Sequence, residues 1–265
     1  MRARRLVVIV ALSALLFARA GVTGQPSEVA LPIRGVNQTL YVFGADNRRP
    51  DPPAVVLFSG DGGWHGFIIE IAQHLAEQGY TTVGVDSKAY LTSFSRPKVL
   101  EPAQVGRDMA MLANFAKAQA QAKSIVLAGW SEGAGLALLG ALDPALRTEV
   151  RGVVAIGLPE VNELAWRWSD SVIYLTHKVP NEPTFNSKDY VGKLAPVPLM
   201  VIQSTHDDFV PPATARSIFA CAQEPKQITF IDARNHRFEG QRPAFWQALD
   251  RSLAWFDSLA ENHPR

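Results

Sequence analysis

The sequence has a single cysteine, Cys221, so it can form no internal disulfide, and its stability must come from a packed core. Cys221 sits in the largely apolar stretch Ala213 to Ala222, which reads as a helix, and is expected to be a buried small hydrophobe rather than a reactive thiol. Charge of one sign is also lacking. Lysine and arginine number 26 against 25 acidic residues, a net +1, which leaves no field to draw the chain to nucleic acid. The six histidines are dispersed without the short paired spacing of a structural zinc site, so neither a metal nor a cofactor is expected. No segment is apolar over the ~20 residues needed to cross a bilayer, and neither an internal repeat nor a low-complexity tract is present. What remains, over 265 residues of near-average apolar content, is one large domain with room for a small insertion.

The first residues have the layout of an export signal. Arg2, Arg4 and Arg5 give a basic start, Leu6 to Phe17 an apolar stretch, and Ala18-Arg19-Ala20 a small-residue cleavage site, so residues 1–20 are expected to be removed after Ala20. The other reading, a single membrane anchor, is disfavoured because the apolar run is about a dozen residues, well short of the ~20 that span a bilayer. No cysteine lies near that site to carry a lipid. The mature protein, 21–265, is expected to be soluble.

Past a short polar lead-in, Gly21 to Pro32, the alternation in Gln38 to Phe43 predicts a first strand. Short aliphatic runs at Ala54 to Phe58, Thr81 to Val85, Ser124 to Ala128, Val150 to Ile156, Leu199 to Gln203 and Gln227 to Ile231 read as buried parallel strands. Apolar residues recurring every three and four positions predict helices at Phe67 to Gln78, Pro102 to Ala120, Gly133 to Leu142, Ala213 to Ala222 and Pro243 to Leu259. The pattern is α/β: a mostly parallel central sheet with helices on both faces. Pro159 to Pro198 is the least regular region and reads either as a small cap or as one more strand, Ser171 to Thr176, with Trp166 and Trp168 packing an edge.

The informative feature is Gly129-Trp130-Ser131-Glu132-Gly133, placed where a strand must turn sharply into a helix. A serine hydroxyl is a poor nucleophile unless a strained turn presents it, and flanking glycines remove the side chains that would collide there. The α/β-hydrolase fold orders its partners serine, acid, histidine, each after a later strand. Asp207 follows Leu199 to Gln203 and His236 follows Gln227 to Ile231. Asp208 is the rival acid; Asp207 is preferred because this loop in α/β-hydrolases commonly has its acid four positions before the proline, here Pro211. His65 and His206 are rival histidines, but only His236 lies between the final strand and the last long helix. In this arrangement His236 takes the proton of Ser131 as it attacks a carbonyl, and Asp207 holds the imidazole tautomer. One oxyanion donor is expected from the backbone of Glu132, and the other from Asp61 or Gly62 in the turn Ser59-Gly60-Asp61-Gly62-Gly63-Trp64.

At these residues, Phe58 to Trp64, Val83-Gly84-Val85-Asp86-Ser87 and the serine elbow, the chain resembles the VirJ/AcvB family of bacterial virulence proteins, over roughly Val55 to Phe256. The resemblance implies an exported, periplasmic α/β-hydrolase, and a candidate substrate in aminoacyl-phosphatidylglycerol, a lipid that carries an amino acid as an ester on its headgroup. The family's elbow usually reads Gly-Tyr-Ser-Phe-Gly-Ala-Asp, whereas this chain has Trp130, Glu132 and Gly135 at the differing places. Glu132 is read either as a carboxylate facing the substrate ammonium, with Asp61 and Asp86 on the same rim, or as an acid favoured in the first turn of a helix. Trp64, His65, Trp130, Trp166 and Trp168 complete the expected substrate contacts, and reaching a lipid would require peripheral membrane contact. A general esterase, lipase, peptidase or acyltransferase uses the same nucleophile. The reading from a different class is a non-catalytic accessory module, since VirJ-type proteins are linked with secretion-system components.

Overall fold

The computed structural model describes residues 26–45, 49–94, 100–166 and 183–262. The signal segment 1–20, Trp168 and the strand expected at Ser171 to Thr176 lie outside the described residues.

The centre of the sheet comes from short runs with no polar face. Strands β3 (Ala54–Phe58), β4 (Thr82–Val85) and β5 (Ile125–Trp130) are buried at every position. The same holds for β9 (Leu199–Ser204), and β6 (Val150–Ile156) departs only at Arg151. Such runs suit parallel strands covered on both sides. With β1 (Ser27–Ile33), β2 (Val36–Phe43) and β10 (Lys226–Ile231) they form one eight-stranded sheet in the order β1-β2-β4-β3-β5-β6-β9-β10. Only the β1–β2 and β2–β4 pairs are antiparallel.

Successive side chains on a strand point to opposite faces, which divides the interior in two. Val56 and Phe58 face helices α3 (Pro102–Ala120) and α4 (Glu132–Ala141), meeting Met109, Leu112, Leu136 and Leu139. Val55 and Leu57 face α1 (Phe67–Glu77) and the last described helix, where Ile71, Leu75, Leu249, Leu253 and Phe256 pack. Each such side chain taken fully out of water stabilises the fold by about 1.5–3 kcal/mol.

Several elements are additions to the sequence reading. Strand β1 occupies part of the expected lead-in; its exposure alternates, and it is recognisable only through its pairing along the whole of β2. Helix α2 (Ser87–Ser93) starts at Asp86, whose carboxylate accepts the Ala89 N–H at 2.9 Å. Within 159–198 the described residues form a small ladder, β7 (Val161–Glu163) against β8 (Thr184–Asn186), and the short α5 (Lys188–Val191).

The expectation for Cys221 is corrected. Helix α6 (Pro212–Cys221) turns Ala215 and Ile218 inward and leaves Cys221 exposed. An apolar run marked the helix but not which side faced the sheet. The final helix, α7 (Arg242–Asn262), completes the second face. No helix among the described residues is long and apolar enough to cross a membrane.

Candidate active site

Strand β5 ends at Trp130 and α4 begins at Glu132, so Ser131 alone makes the turn. Its backbone lies at φ 56° and ψ −125°, a conformation that costs a non-glycine residue about 1–3 kcal/mol and persists only where its surroundings enforce it. The Ser131 N–H donates to the Ile156 carbonyl at 2.8 Å, and its own carbonyl accepts from Ala134 N at 2.8 Å. The flanking glycines are required by contact. A Cβ on Gly129 would lie 2.0 Å from the Gly133 oxygen, and one on Gly133 would lie 2.3 Å from the Ser59 oxygen. The start of α4 is therefore pressed against the end of β3, beside the glycine-rich turn.

The loop after β9 delivers Asp207, whose side chain is fully shielded from solvent. Its Oδ1 accepts from Phe209 N at 3.0 Å and Val210 N at 2.8 Å; its Oδ2 accepts from Gln203 Nε2 at 2.8 Å and pairs with His236 Nδ1 at 2.6 Å. The loop after β10 delivers His236. Trp130 Nε1 donates to the His236 carbonyl at 3.3 Å, and the ring lies over Gly157, where a Cβ would come within 2.5 Å of Cε1. With Nδ1 donating to the carboxylate, a neutral imidazole carries its lone pair on Nε2. That atom is buried and has no hydrogen-bond partner among the described residues, so the Ser131 hydroxyl is not bonded to it in this state. Such contacts are often loose without substrate and tighten when it binds.

Ser131 and His236 line one cavity of about 380 Å³, together with Asp61, Gly62, His65, Phe67, Trp130, Asp208, Phe209 and Arg237. It opens at the carboxyl ends of the parallel strands, where ligands of open α/β sheets bind. A larger cavity, about 730 Å³, lies at the other end of the sheet beside Ser124, Val150, Pro198 and Pro225, away from Ser131 and His236.

The expected residues separate clearly. Ser131, Asp207 and His236 converge; Asp208 is exposed on the cavity wall and does not meet the imidazole. Exposed His206 turns its Nδ1 to the Ala233 carbonyl and Asp232. Asp61 and Gly62 lie in a turn that passes Ser131: a Cβ on neighbouring Gly60 would be 3.3 Å from Ser131 Cβ. The Glu132 amide stands at the first position of α4, where a helix offers no internal acceptor. His65 lines the cavity, with Nε2 3.1 Å from the Gly62 carbonyl oxygen, and Trp130 forms its wall.

Four expected contacts are corrected. Trp64 stacks on Tyr41, ring centroids 5.0 Å apart, and does not line the cavity. Asp86 holds Trp64 N at 3.3 Å and starts α2, so its carboxylate is spent within the fold. Trp166 is buried in the core on the α3–α4 side, with Lys88 Nζ 4.1 Å from its ring centre. The Glu132 carboxylate does not line the cavity; it accepts the Glu163 N–H of β7 at 2.9 Å. Burial first, and then the Glu163 charge, push its carboxyl well above the usual range.

Sequence reasoning missed Gln203, Phe67, Phe209 and Gly157. Only Gln203 left a signal, as the polar residue near the end of an aliphatic strand four positions before the acid.

Comparison with solved structures agrees with this architecture. Est1E from Butyrivibrio proteoclasticus superposes with a TM-score of 0.64 at 13% identity, covering 87% of this chain and 99% of that one. A putative dienelactone hydrolase from Klebsiella pneumoniae gives 0.64 at 19% identity, covering 87% and 97%. A membrane phospholipase A described as a bacterial virulence factor gives 0.63 at 17%, covering 89% and 88%. No curated protein matches the sequence. The sheet order, the serine elbow and these likenesses make the chain an α/β-hydrolase in fold, and over residues 53–169 it resembles the bacterial virulence protein VirJ, whose family model it matches there.

Proposed function

We propose that the protein is an exported serine hydrolase that cleaves a carboxylic ester. The observation that carries this reading is the buried His236–Asp207 pair, 2.6 Å apart, sharing a cavity with the strained Ser131. Neither a buried imidazole Nε2 left without a partner among the described residues nor an enforced positive φ at serine is needed for packing; both serve attack on a carbonyl. Ser131 attacks and His236 accepts its proton, which passes to the leaving alcohol. Water then cleaves the acyl-enzyme by the reverse roles. The amides of Glu132 and of Asp61 or Gly62 stabilise the oxyanion.

The substrate we favour is the aminoacyl ester of aminoacyl-phosphatidylglycerol. Its support is the VirJ resemblance, together with Asp61, Asp208 and Glu239 around a cavity in which Arg237 is the only arginine among the described residues. A surplus of carboxylates favours an ammonium-bearing acyl group. The basic and apolar start of the chain supports periplasmic location. Incubating the mature protein with bacterial lipid extract tests the substrate. Loss of aminoacyl-phosphatidylglycerol with release of free amino acid, absent with Ser131→Ala, is expected. Loss of a different ester would keep the hydrolase and discard the lipid, and no ester loss at all would favour an accessory binding module. Periplasmic protein should begin at Gly21.

A further inference from the structure

Gln203 is the one amide in a strand that otherwise reads Leu-Met-Val-Ile before Ser204, and it is completely buried. A buried amide is a cost unless its hydrogen bonds are made. Its Nε2 makes two good ones, to Asp207 Oδ2 at 2.8 Å and to the Val210 carbonyl at 2.8 Å, with Ser204 O at 3.4 Å as a weak third. Its Oε1 is buried without a partner among the described residues. Turning the amide over would not help, because Oε1 would then face a carboxylate and a carbonyl, two acceptors with no proton between them. The orientation is dictated by those acceptors, and the orphaned oxygen is what the fold tolerates to supply two donors at that place.

We infer that Gln203 is a positioning residue for the His236–Asp207 pair, an inference that rests on the hydrolase reading above. The same oxygen, Oδ2, receives both Gln203 Nε2 and His236 Nδ1. Val210 donates its N–H to Asp207 Oδ1 while its carbonyl accepts from Gln203, so strand, acid and loop form a closed ring of hydrogen bonds. Within that ring the carboxylate cannot swing from the imidazole, and Oδ2 keeps a second donor when His236 becomes positive during attack. Gln203 reaches no substrate; it acts through Asp207.

Two variants test this, with the activity of the wild type and of Asp207→Asn as references. Gln203→Met keeps the length and removes both donors. Its kcat should fall about 10–100-fold, as expected for misplaced catalytic geometry, with KM within about threefold. Gln203→Glu puts a carboxyl beside Asp207, which donates only while protonated. Its activity relative to wild type should therefore rise as pH falls. That comparison follows one protein across pH, so it does not depend on Gln203→Met folding. If the wild type hydrolyses ester and Asp207→Asn does not, yet Gln203→Met matches wild type or the Gln203→Glu ratio is flat with pH, the positioning role is overturned and the hydrolase stands. If the wild type itself neither hydrolyses ester nor reacts at Ser131, both readings fall together.

Discussion

A choice between neighbours, Asp207 or Asp208, shows what single residues reveal and hide. Spacing to Pro211 favoured Asp207, but the physical ground is four N–H groups converging on one carboxylate while the next residue faces solvent. Asp207→Asn should lower kcat by about 10⁴, because the imidazole loses its tautomer. Asp208→Asn should leave kcat on a neutral ester nearly unchanged and raise KM only for an ammonium-bearing one. Glu132 was legible as a helix-start acid but not as the partner of Glu163, because the direction of its side chain depends on a ladder thirty residues away. Its carboxyl is raised in the fold, so the folded state binds a proton that the unfolded state releases sooner. Stability from this group is present at low pH and lost as pH rises, by up to about 1.4 kcal/mol per pH unit. Glu132→Gln should melt progressively higher than wild type as pH rises from acidic to mildly alkaline; equal melting curves throughout would contradict that.

Elements were legible in proportion to how far burial dictated their residues. Strands β3, β6 and β9 were readable because two covered faces leave little but aliphatic side chains. Strand β1, half exposed, and α2, seven residues long, carry no such pattern and exist through their partners. Helix α2 is tied to α3 by a buried network: Asp108 accepts Tyr90 Oη at 2.7 Å and Arg34 Nε at 2.7 and 2.9 Å. Burial and the Asp108 charge push the Tyr90 hydroxyl far up, so it remains a donor at all working pH values. Tyr90→Phe should cost about 1.5–3 kcal/mol in denaturant unfolding by removing a hydrogen bond to a carboxylate that then keeps only Arg34 among the described residues, with ester turnover per folded molecule unchanged. A loss of turnover without a loss of stability would show that the network belongs to the site.

At the scale of the whole molecule, the sheet brings three loops, after β5, β9 and β10, to one rim. That convergence was legible from chain order, since the fold allows few routes for a strand–helix alternation. Which aromatics reach the cavity was not: Trp64 and Trp166 pack elsewhere, while Phe67 and Phe209 come from positions with no distinguishing pattern. Everything functional depends on the rim making Ser131 a nucleophile. The direct test is treatment of the folded protein with a fluorophosphonate, followed by intact mass and peptide mapping. One adduct on Ser131, abolished by Ser131→Ala and strongly slowed by His236→Ala, is the predicted result. An unmodified Ser131 in protein that retains its fold would contradict it.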